Sequence, residues 1–428
     1  MANDNQPIAV ASYEREEFVV ALPYAPAVRD RIQREFGLAC ELTDNRDLNL
    51  TLVAPRQLGR AAEVLRRAAT ERMGHRDNDH ILEVLRLRKR ADTSPLDDLM
   101  FCLRYDFAAS CAGWVPAMGK NRHLHNVTGA PHIDGGAILY PEPASVPRPV
   151  PESAMDRGTG VRVGLLDTQL YPHQDLAGRY LAGPADLLEP RTLYSRFAGH
   201  ATFIAGLILR HAPAAELLVR HTLGDENATT TVWDFVHKLV RFRDSGVQIL
   251  NLSLGCYTAD GEPPMVLQRA IQQLAPDIVI VAAAGNHGDP AEYARNPVHP
   301  FLTPQTAFWP AALDDVLAVG ADLDPGPDGP RPAPFSPLLP WVTYMAKGEG
   351  VVSTYLKGHV EIPRPAGERP QPFHGYARWS GTSFAAAIVT GELAALTKPD
   401  RSAWRAVAEL RERAAKPADD FPVRLFEG

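Results

Sequence analysis

Cysteine is scarce in this chain: four in 428 residues, at Cys40, Cys102, Cys111 and Cys256. They are too few to staple so long a polypeptide and lack zinc-site spacing, so they read as reduced thiols, with neither a disulfide framework nor a structural zinc expected. No stretch reaches the roughly 18 apolar residues needed to span a bilayer. The start, Met1-Ala-Asn-Asp-Asn-Gln6, has neither the basic residues nor the apolar run of a secretory signal, so the expected location is the cytoplasm, with no membrane partner. Basic blocks are also missing. The formal charge of −7 is mild and dispersed, which argues against nucleic acid as a partner. The sequence has no Gly-x-x-x-x-Gly-Lys-Ser/Thr loop and no Gly-x-Ser-x-Gly elbow, which excludes a P-loop ATPase and weakens an α/β-hydrolase reading. Gly158-Thr-Gly160 with Gly164 precedes a strand instead of following one, so it does not cradle a phosphate.

Proline is plentiful, at 38 residues, and implies long, stiffened loops of the kind that carry binding segments. The length exceeds one ordinary core and predicts two domains, or one large domain with an N-terminal addition. Residues 1–95 predict a small α+β domain: a strand over Glu17–Leu22, a helix over Ala25–Phe36, a strand over Asn49–Ala54, a helix over Gln57–Arg72, and a Leu- and Arg-rich helix over about Asp79–Arg90. Residues 96–152 carry weaker signals and end in the proline-rich Pro141–Pro151, which predicts a connecting segment and linker. His123, His125, His132 and Asp134 lie within it. Imidazoles one residue apart are common in loops, so no metal is expected there.

From Val161 the pattern changes. Apolar runs at 161–166, 217–220, 247–254 and 277–283 alternate with helical patterns at 201–209, 232–242 and 265–274. Continuous apolar strands between helices predict an α/β domain over residues 153–428, with a mostly parallel sheet covered by helices on both faces. Functional groups in such sheets gather at the carboxyl ends of the strands. Asp167 ends the first apolar run, Asn286 follows the run Ile278–Gly285, and His200 opens the first helix. Near the C-terminal end, Trp379-Ser-Gly-Thr-Ser-Phe-Ala-Ala-Ala-Ile-Val-Thr-Gly391 is apolar on every side from Phe384 onward, which predicts a helix buried all round. Ser383 then sits at a buried helix start, where free N–H groups and the positive end of the dipole favour developing negative charge.

A serine hydroxyl needs a base within reach, and that base needs a group to hold its tautomer. Asp167, His200 and Ser383 supply these types. Taken singly, each has an ordinary structural role: Asp167 as a strand-end cap, His200 as a core histidine, Asn286 as a turn former, and Gly-Thr-Ser as a helix cap. The four together, in this order and context, point to acyl transfer.

These residues carry a resemblance to the subtilisin-like serine proteases. The matching segments are Val163-Gly-Leu-Leu-Asp-Thr168, Gly199-His-Ala-Thr-Phe-Ile-Ala-Gly206, Leu250-Asn-Leu-Ser-Leu-Gly255, Ala282-Ala-Ala-Gly-Asn286 and Ser380-Gly-Thr-Ser-Phe-Ala-Ala386. Phe308-Trp-Pro-Ala-Ala312 with Val316-Leu-Ala-Val-Gly320 is also similar to a family segment. The resemblance implies a serine endopeptidase in which Ser383 attacks a peptide carbonyl, His200 takes its proton and Asp167 holds the imidazole. The Asn286 amide and the Ser383 N–H would bind the oxyanion. It further implies that Ser253, Leu254 and Gly255 pair with an extended peptide or protein substrate, and that residues between Asn286 and Trp309 shape the first specificity pocket. No cofactor is expected. Calcium is used by many members of the family, but no residue here is assigned to it.

Three positions depart from the family pattern: Gln169 and Ala201 stand where glycine is usual, and Ala387 where proline is usual. A catalytically inactive subtilase fold serving as a binding or regulatory module is the competing reading, which the presence of all four reactive groups disfavours. A sedolisin-like acid peptidase would have a glutamate at His200. The N-terminal domain has the size and pattern of an inhibitory pro-segment, with a retained regulatory domain as the alternative.

Overall fold

The computed structural model describes residues 13–74, 94–126, 140–258, 260–289, 302–323, 330–362, 369–416 and 421–426. Its N-terminal part contains β1 (Tyr13–Ala21), α1 (Ala25–Phe36), β2 (Cys40–Asn45), β3 (Leu50–Pro55), α2 (Ala62–Gly74), α3 (Pro95–Ser110) and β4 (Met118–Asn126). Helix α1 buries Ala25, Val28 and Ile32, spaced to share one face, and ends at Gly37 with φ 68°. Helix α3 starts from a capping box: Ser94 Oγ accepts from the Asp97 amide, and the Asp97 carboxylate accepts from the Ser94 amide, each at 3.2 Å. Leu96, Leu99, Leu103 and Phe107 from α3 and Met118 from β4 close one core with Phe18, Val20, Val28, Ile32, Val53 and Leu65. Residues 96–126, which the sequence pattern puts in a connecting segment, thus supply most of a helix and a strand to this core. The helix expected over Asp79–Arg90 lies outside the described residues.

The remaining elements are β5 (Glu142–Pro143), β6 (Arg162–Asp167), β7 (Tyr180–Leu181), β8 (Leu193–Ser195), α4 (His200–His211), β9 (Glu216–His221), β10 (Thr229–Thr231), α5 (Val232–Leu239), β11 (Ile249–Leu252), β12 (Leu254–Tyr257), α6 (Met265–Leu274), β13 (Val279–Ala283), β14 (Phe308–Trp309), β15 (Val316–Asp322), β16 (Val342–Lys347), β17 (Val351–Ile362), β18 (Arg369–Trp379), α7 (Thr382–Leu396), α8 (Ala403–Ala415) and β19 (Val423–Leu425). An eight-stranded sheet runs β19-β16-β15-β13-β11-β6-β9-β7. All its pairs are parallel except β16 with β19. Every residue of β11 and β13 is buried, as an apolar run covered on both faces requires. Together with the helices this is the α/β architecture, built on a mostly parallel sheet, that the sequence pattern predicts. Helix α7 packs on β11, β13, β15 and β16 and against α4, and only its last two residues escape full burial. Its approach to α4 is backbone-close: a methyl group at Gly391 would come 2.9 Å from the Ile208 carbonyl oxygen.

Two smaller sheets complete the fold. β17 and β18 form a long antiparallel hairpin extended by β8 and β5, a feature the sequence pattern does not announce. The N-terminal sheet runs β14-β12-β4-β1-β3-β2, with β10 also pairing to β4, so it is continuous with strands of the second half. The buried Asn121 fixes this junction. Its amide nitrogen donates to Glu17 at 2.8 Å, while its oxygen accepts from the Trp233 amide in the first turn of α5 at 3.1 Å. Gln273 on α6 donates to the Asp47 carbonyl at 2.8 Å.

Candidate active site

Asp167 is the last residue of β6, which is hydrogen-bonded between β9 and β11. Its carbonyl accepts from the Thr222 and Leu223 amides, and its Oδ1 accepts from the Thr168 amide at 2.7 Å. The carboxylate therefore has one orientation. His200 opens α4, whose start is tied to the same strand end: the Ala201 amide donates to Thr168 Oγ1 at 3.1 Å, and Thr202 Oγ1 accepts from the Tyr171 amide at 2.8 Å. The result is a contact between His200 Nδ1 and Asp167, 2.8 Å to Oδ1 and 3.0 Å to Oδ2, with both side chains fully buried. An ionised carboxylate only accepts, so Nδ1 carries the proton and the Nε2 lone pair is the basic one. That Nε2 is buried and without a hydrogen-bond partner. Trp379 and Phe384 flank the ring, with centroids at 5.8 and 5.9 Å.

Ser383 is the second residue of α7 and fully buried. A chain of buried polar groups holds its backbone: Thr390 Oγ1 donates to Asn251 at 2.9 Å, Asn251 Nδ2 donates to Ser253 Oγ at 3.0 Å, and Ser253 Oγ donates to the Ser383 carbonyl at 3.2 Å. Every buried polar group in that chain is paired, which keeps the helix start rigid. Asn286 reaches the same spot from the end of β13. Gly285, at φ +103°, makes the turn that aims it. The Thr382 amide donates to Asn286 Oδ1 at 3.0 Å, and the Thr382 hydroxyl lies 3.0 Å from the same oxygen and 3.1 Å from the Gly285 carbonyl. With Oδ1 accepting from Thr382, Nδ2 is the donor end of the amide.

The structure thus brings Asp167 and His200 into contact, and links Asn286 and Ser253 to the Thr382–Ser383 backbone. Ser253 contributes its side chain inward. Leu254 and Gly255 present an edge, and that edge is occupied: β4 pairs antiparallel with β12 through Asn126↔Leu254 and His125↔Gly255, and with β10 through residues 123–125. Sequence reasoning missed this pairing because Met118–Asn126 is largely polar, without the β-branched alternation that signals a strand. It also missed Thr382, whose only trace was its place before Ser383.

Of the departures from the family pattern, Gln169 makes its own links, donating from its backbone to Asp225 at 3.4 Å and from Nε2 to the Ala185 carbonyl at 2.8 Å. Burial pushes the Asp225 carboxyl up from its ordinary range. Ala201 and Ala387 are buried without polar consequence.

His287, next to Asn286, is buried. Its Nε2–H donates to the Thr306 carbonyl at 2.8 Å, and its Nδ1 accepts from the Tyr257 hydroxyl at 3.2 Å. Burial pushes its pKa down to about 4, so the imidazole is neutral near pH 7. Among the described residues no three His, Cys, Asp or Glu side chains gather as a metal site. His123 and His125 lie on β4, and His132 and Asp134 lie outside the described residues. Among the described residues no helix is long and apolar enough to cross a membrane.

The sequence profile of the subtilase family matches residues 158–423. A thermophilic serine proteinase of Bacillus sp. strain AK1 is 31% identical over 278 residues, 61% of this chain and 57% of that protein. Mycosin-4 of Mycobacterium tuberculosis is 32% identical over 273 residues, 57% of each. The chain therefore spans little more than half the length of these curated relatives. Among solved structures, fervidolysin from Fervidobacterium pennivorans superposes with a TM-score of 0.60 at 17% identity, covering 98% of this chain and 59% of that one. At that identity the likeness is one of fold, and it includes the N-terminal part.

Proposed function

The chain belongs to the subtilase family, and from that premise we propose that it is a serine endopeptidase working through Asp167, His200 and Ser383. The observation that carries this reading is the fully buried Asp167–His200 pair at 2.8 Å, set beside a buried serine at a helix start. Ser383 Oγ attacks the peptide carbonyl as His200 Nε2 takes its proton, and Asp167 stabilises the imidazolium. The oxyanion forms between Asn286 Nδ2 and the Ser383 N–H, donors that stand ready before the charge develops. His200 then returns the proton to the leaving amine, and water releases the acyl group.

Substrates are peptides or proteins, laid along Leu254 and Gly255 as an added strand. We assign the N-terminal part, extended to β4, as the inhibitory element of this enzyme: β4 already occupies the edge that a substrate would use. Activity then requires that β4 be cut or displaced. The cytoplasm as the place of action is supported by four free cysteines and by 25% identity to the major intracellular serine protease of Bacillus subtilis, over 58% of this chain and 72% of that protein.

The test is labelling with a fluorophosphonate probe. Wild type is expected to be labelled and Ser383→Ala not. Equal labelling of both, or of neither after removal of the N-terminal part by limited proteolysis, contradicts the assignment.

A further inference from the structure

Two glycines frame the space beside the candidate oxyanion site: Gly255 on β12 and Gly285 just before Asn286. With the carbonyl carbon at Ser383 Oγ and its oxygen at Asn286, a substrate paired to Leu254–Gly255 directs its acyl-side side chain between these two backbones. In this protein that space is filled from within. Phe308 on β14 is fully buried. A methyl group built on Gly255 would meet the Trp309 carbonyl oxygen first and then the ring, 2.6 Å from its Cζ and 2.7 Å from its Cε1, and one on Gly285 would come 2.6 Å from His287 Nδ1 and 3.3 Å from Phe308 Cγ. The ring therefore runs from the Gly285 backbone to the Gly255 backbone. It is fixed in place because β14 pairs with β12 through Phe308↔Tyr257 and Trp309↔Cys256.

The surroundings leave the ring little room to withdraw. Tyr257 packs against it at a centroid distance of 4.9 Å, with His287 at 6.4 Å and His125 of β4 at 6.1 Å. Tyr257 and His287 are themselves joined by the hydrogen bond that continues to Thr306. Among the described residues, the Tyr257 hydroxyl, the His287 imidazole and the Thr306 carbonyl are hydrogen-bonded in a row, and the imidazole is neutral, so these groups bring no counter-charge to a buried ionised side chain.

We infer that Phe308 is the specificity-determining residue of this site, closing the acyl-side pocket so that the enzyme cuts after small, uncharged residues: glycine, alanine or serine. A large acyl-side residue would need the ring to leave a close-packed position, and small additions to a filled apolar pocket already change selectivity by tens of fold. This inference rests on the endopeptidase reading above.

The experiment uses the full chain with a library of natural peptides, reading cut sites by mass spectrometry and rates on matched peptides that differ only in the acyl-side residue. Wild type is expected to prefer alanine over leucine or phenylalanine by at least about 10-fold in kcat/KM. Phe308→Ala should erase or reverse that preference while cuts remain dependent on Ser383. Wild-type cleavage after leucine, phenylalanine or methionine as fast as after alanine overturns the inference and leaves the endopeptidase reading standing. Absence of every Ser383-dependent cut, of peptides or of the chain itself, even after limited proteolysis has removed the N-terminal part, overturns both. If Phe308→Ala does not fold, the wild-type ratio decides alone.

Discussion

The Thr382 amide donates to Asn286 Oδ1 at 3.0 Å, so the residue before Ser383 orients the side chain proposed to face the developing oxyanion. Donor and nucleophile cannot drift apart, because they are adjacent links of one hydrogen-bonded chain. Asn286→Ala is therefore expected to lower kcat by about 10²–10³ with KM near normal, as in the subtilisin example of losing such a donor. Weakened KM with unchanged kcat would make Asn286 a ground-state contact. Thr382→Ala keeps the backbone donor and loses only the hydroxyl, so a drop of about 3- to 10-fold in kcat is expected. Steady-state kinetics on one peptide separates these outcomes.

Ser383→Ala removes one oxygen and should leave the fold intact while lowering turnover by about 10⁶, the order found when subtilisin loses its nucleophile. Asp167→Asn keeps the shape but offers His200 a neutral partner that no longer fixes its tautomer, with about 10⁴ lost in kcat. Retention of a tenth of wild-type activity by either variant would remove that residue from the mechanism.

His287 predicts an acid limb in stability. Its folded pKa of about 4 lies below the ordinary 6.5, so between those values the unfolded chain binds a proton that the folded one refuses. Stability falls as pH drops through this window, by about 3 kcal/mol over 2.5 units, and the penalty is constant below it. His287→Gln offers a neutral acceptor and donor and should flatten the slope of melting temperature between pH 4 and 6.5.

Glu392 adds a second acid-sensitive contact, lower on the pH scale. Burial alone would raise its carboxyl, but the hydrogen bonds and charges of His211 and Arg157, each at 2.7 Å, outweigh that and hold it below its ordinary 4.5. Its contribution is present above pH 4.5 and is lost as pH falls through the lower folded value. Glu392→Gln is expected to cost about 1–3 kcal/mol in denaturant titration at pH 7 and progressively less as pH falls below 4.5.

Self-processing is the outcome expected from β4. The pairs His125↔Gly255 and Asn126↔Leu254 direct the chain toward Ser253 and Ser383, so the bond to be cut lies between Asn126 and Tyr140. Intact masses of wild type and Ser383→Ala should differ by removal of this N-terminal part in wild type alone. Two full-length species in an active preparation would make it a permanent regulatory partner.

The parallel sheet was legible because its strands are continuous apolar runs: Ile249–Leu252 and Val279–Ala283 are buried on both faces and read as such. Asp167 and His200 were legible by position, one ending such a run and the other opening a helix. The long hairpin β17–β18 was not, because Arg369–Trp379 carries two prolines and alternating polar residues and gains its order from pairing, not from local pattern. Phe308 stood in a segment recognised as family-like. Its place between Gly255 and Gly285 depends on residues more than 20 positions away, which no local pattern encodes.

Strand β4 is held by β1 over its first half and by β10 and β12 over its last residues. Its rungs lie across the strand axis, so tension along that axis loads them all at once, in shear. Lifting the Asn126 end loads them one after another, like opening a zip. A cut beyond Asn126 creates that loose end, so the same strand resists a pull from the N-terminal side and yields to peeling from the other.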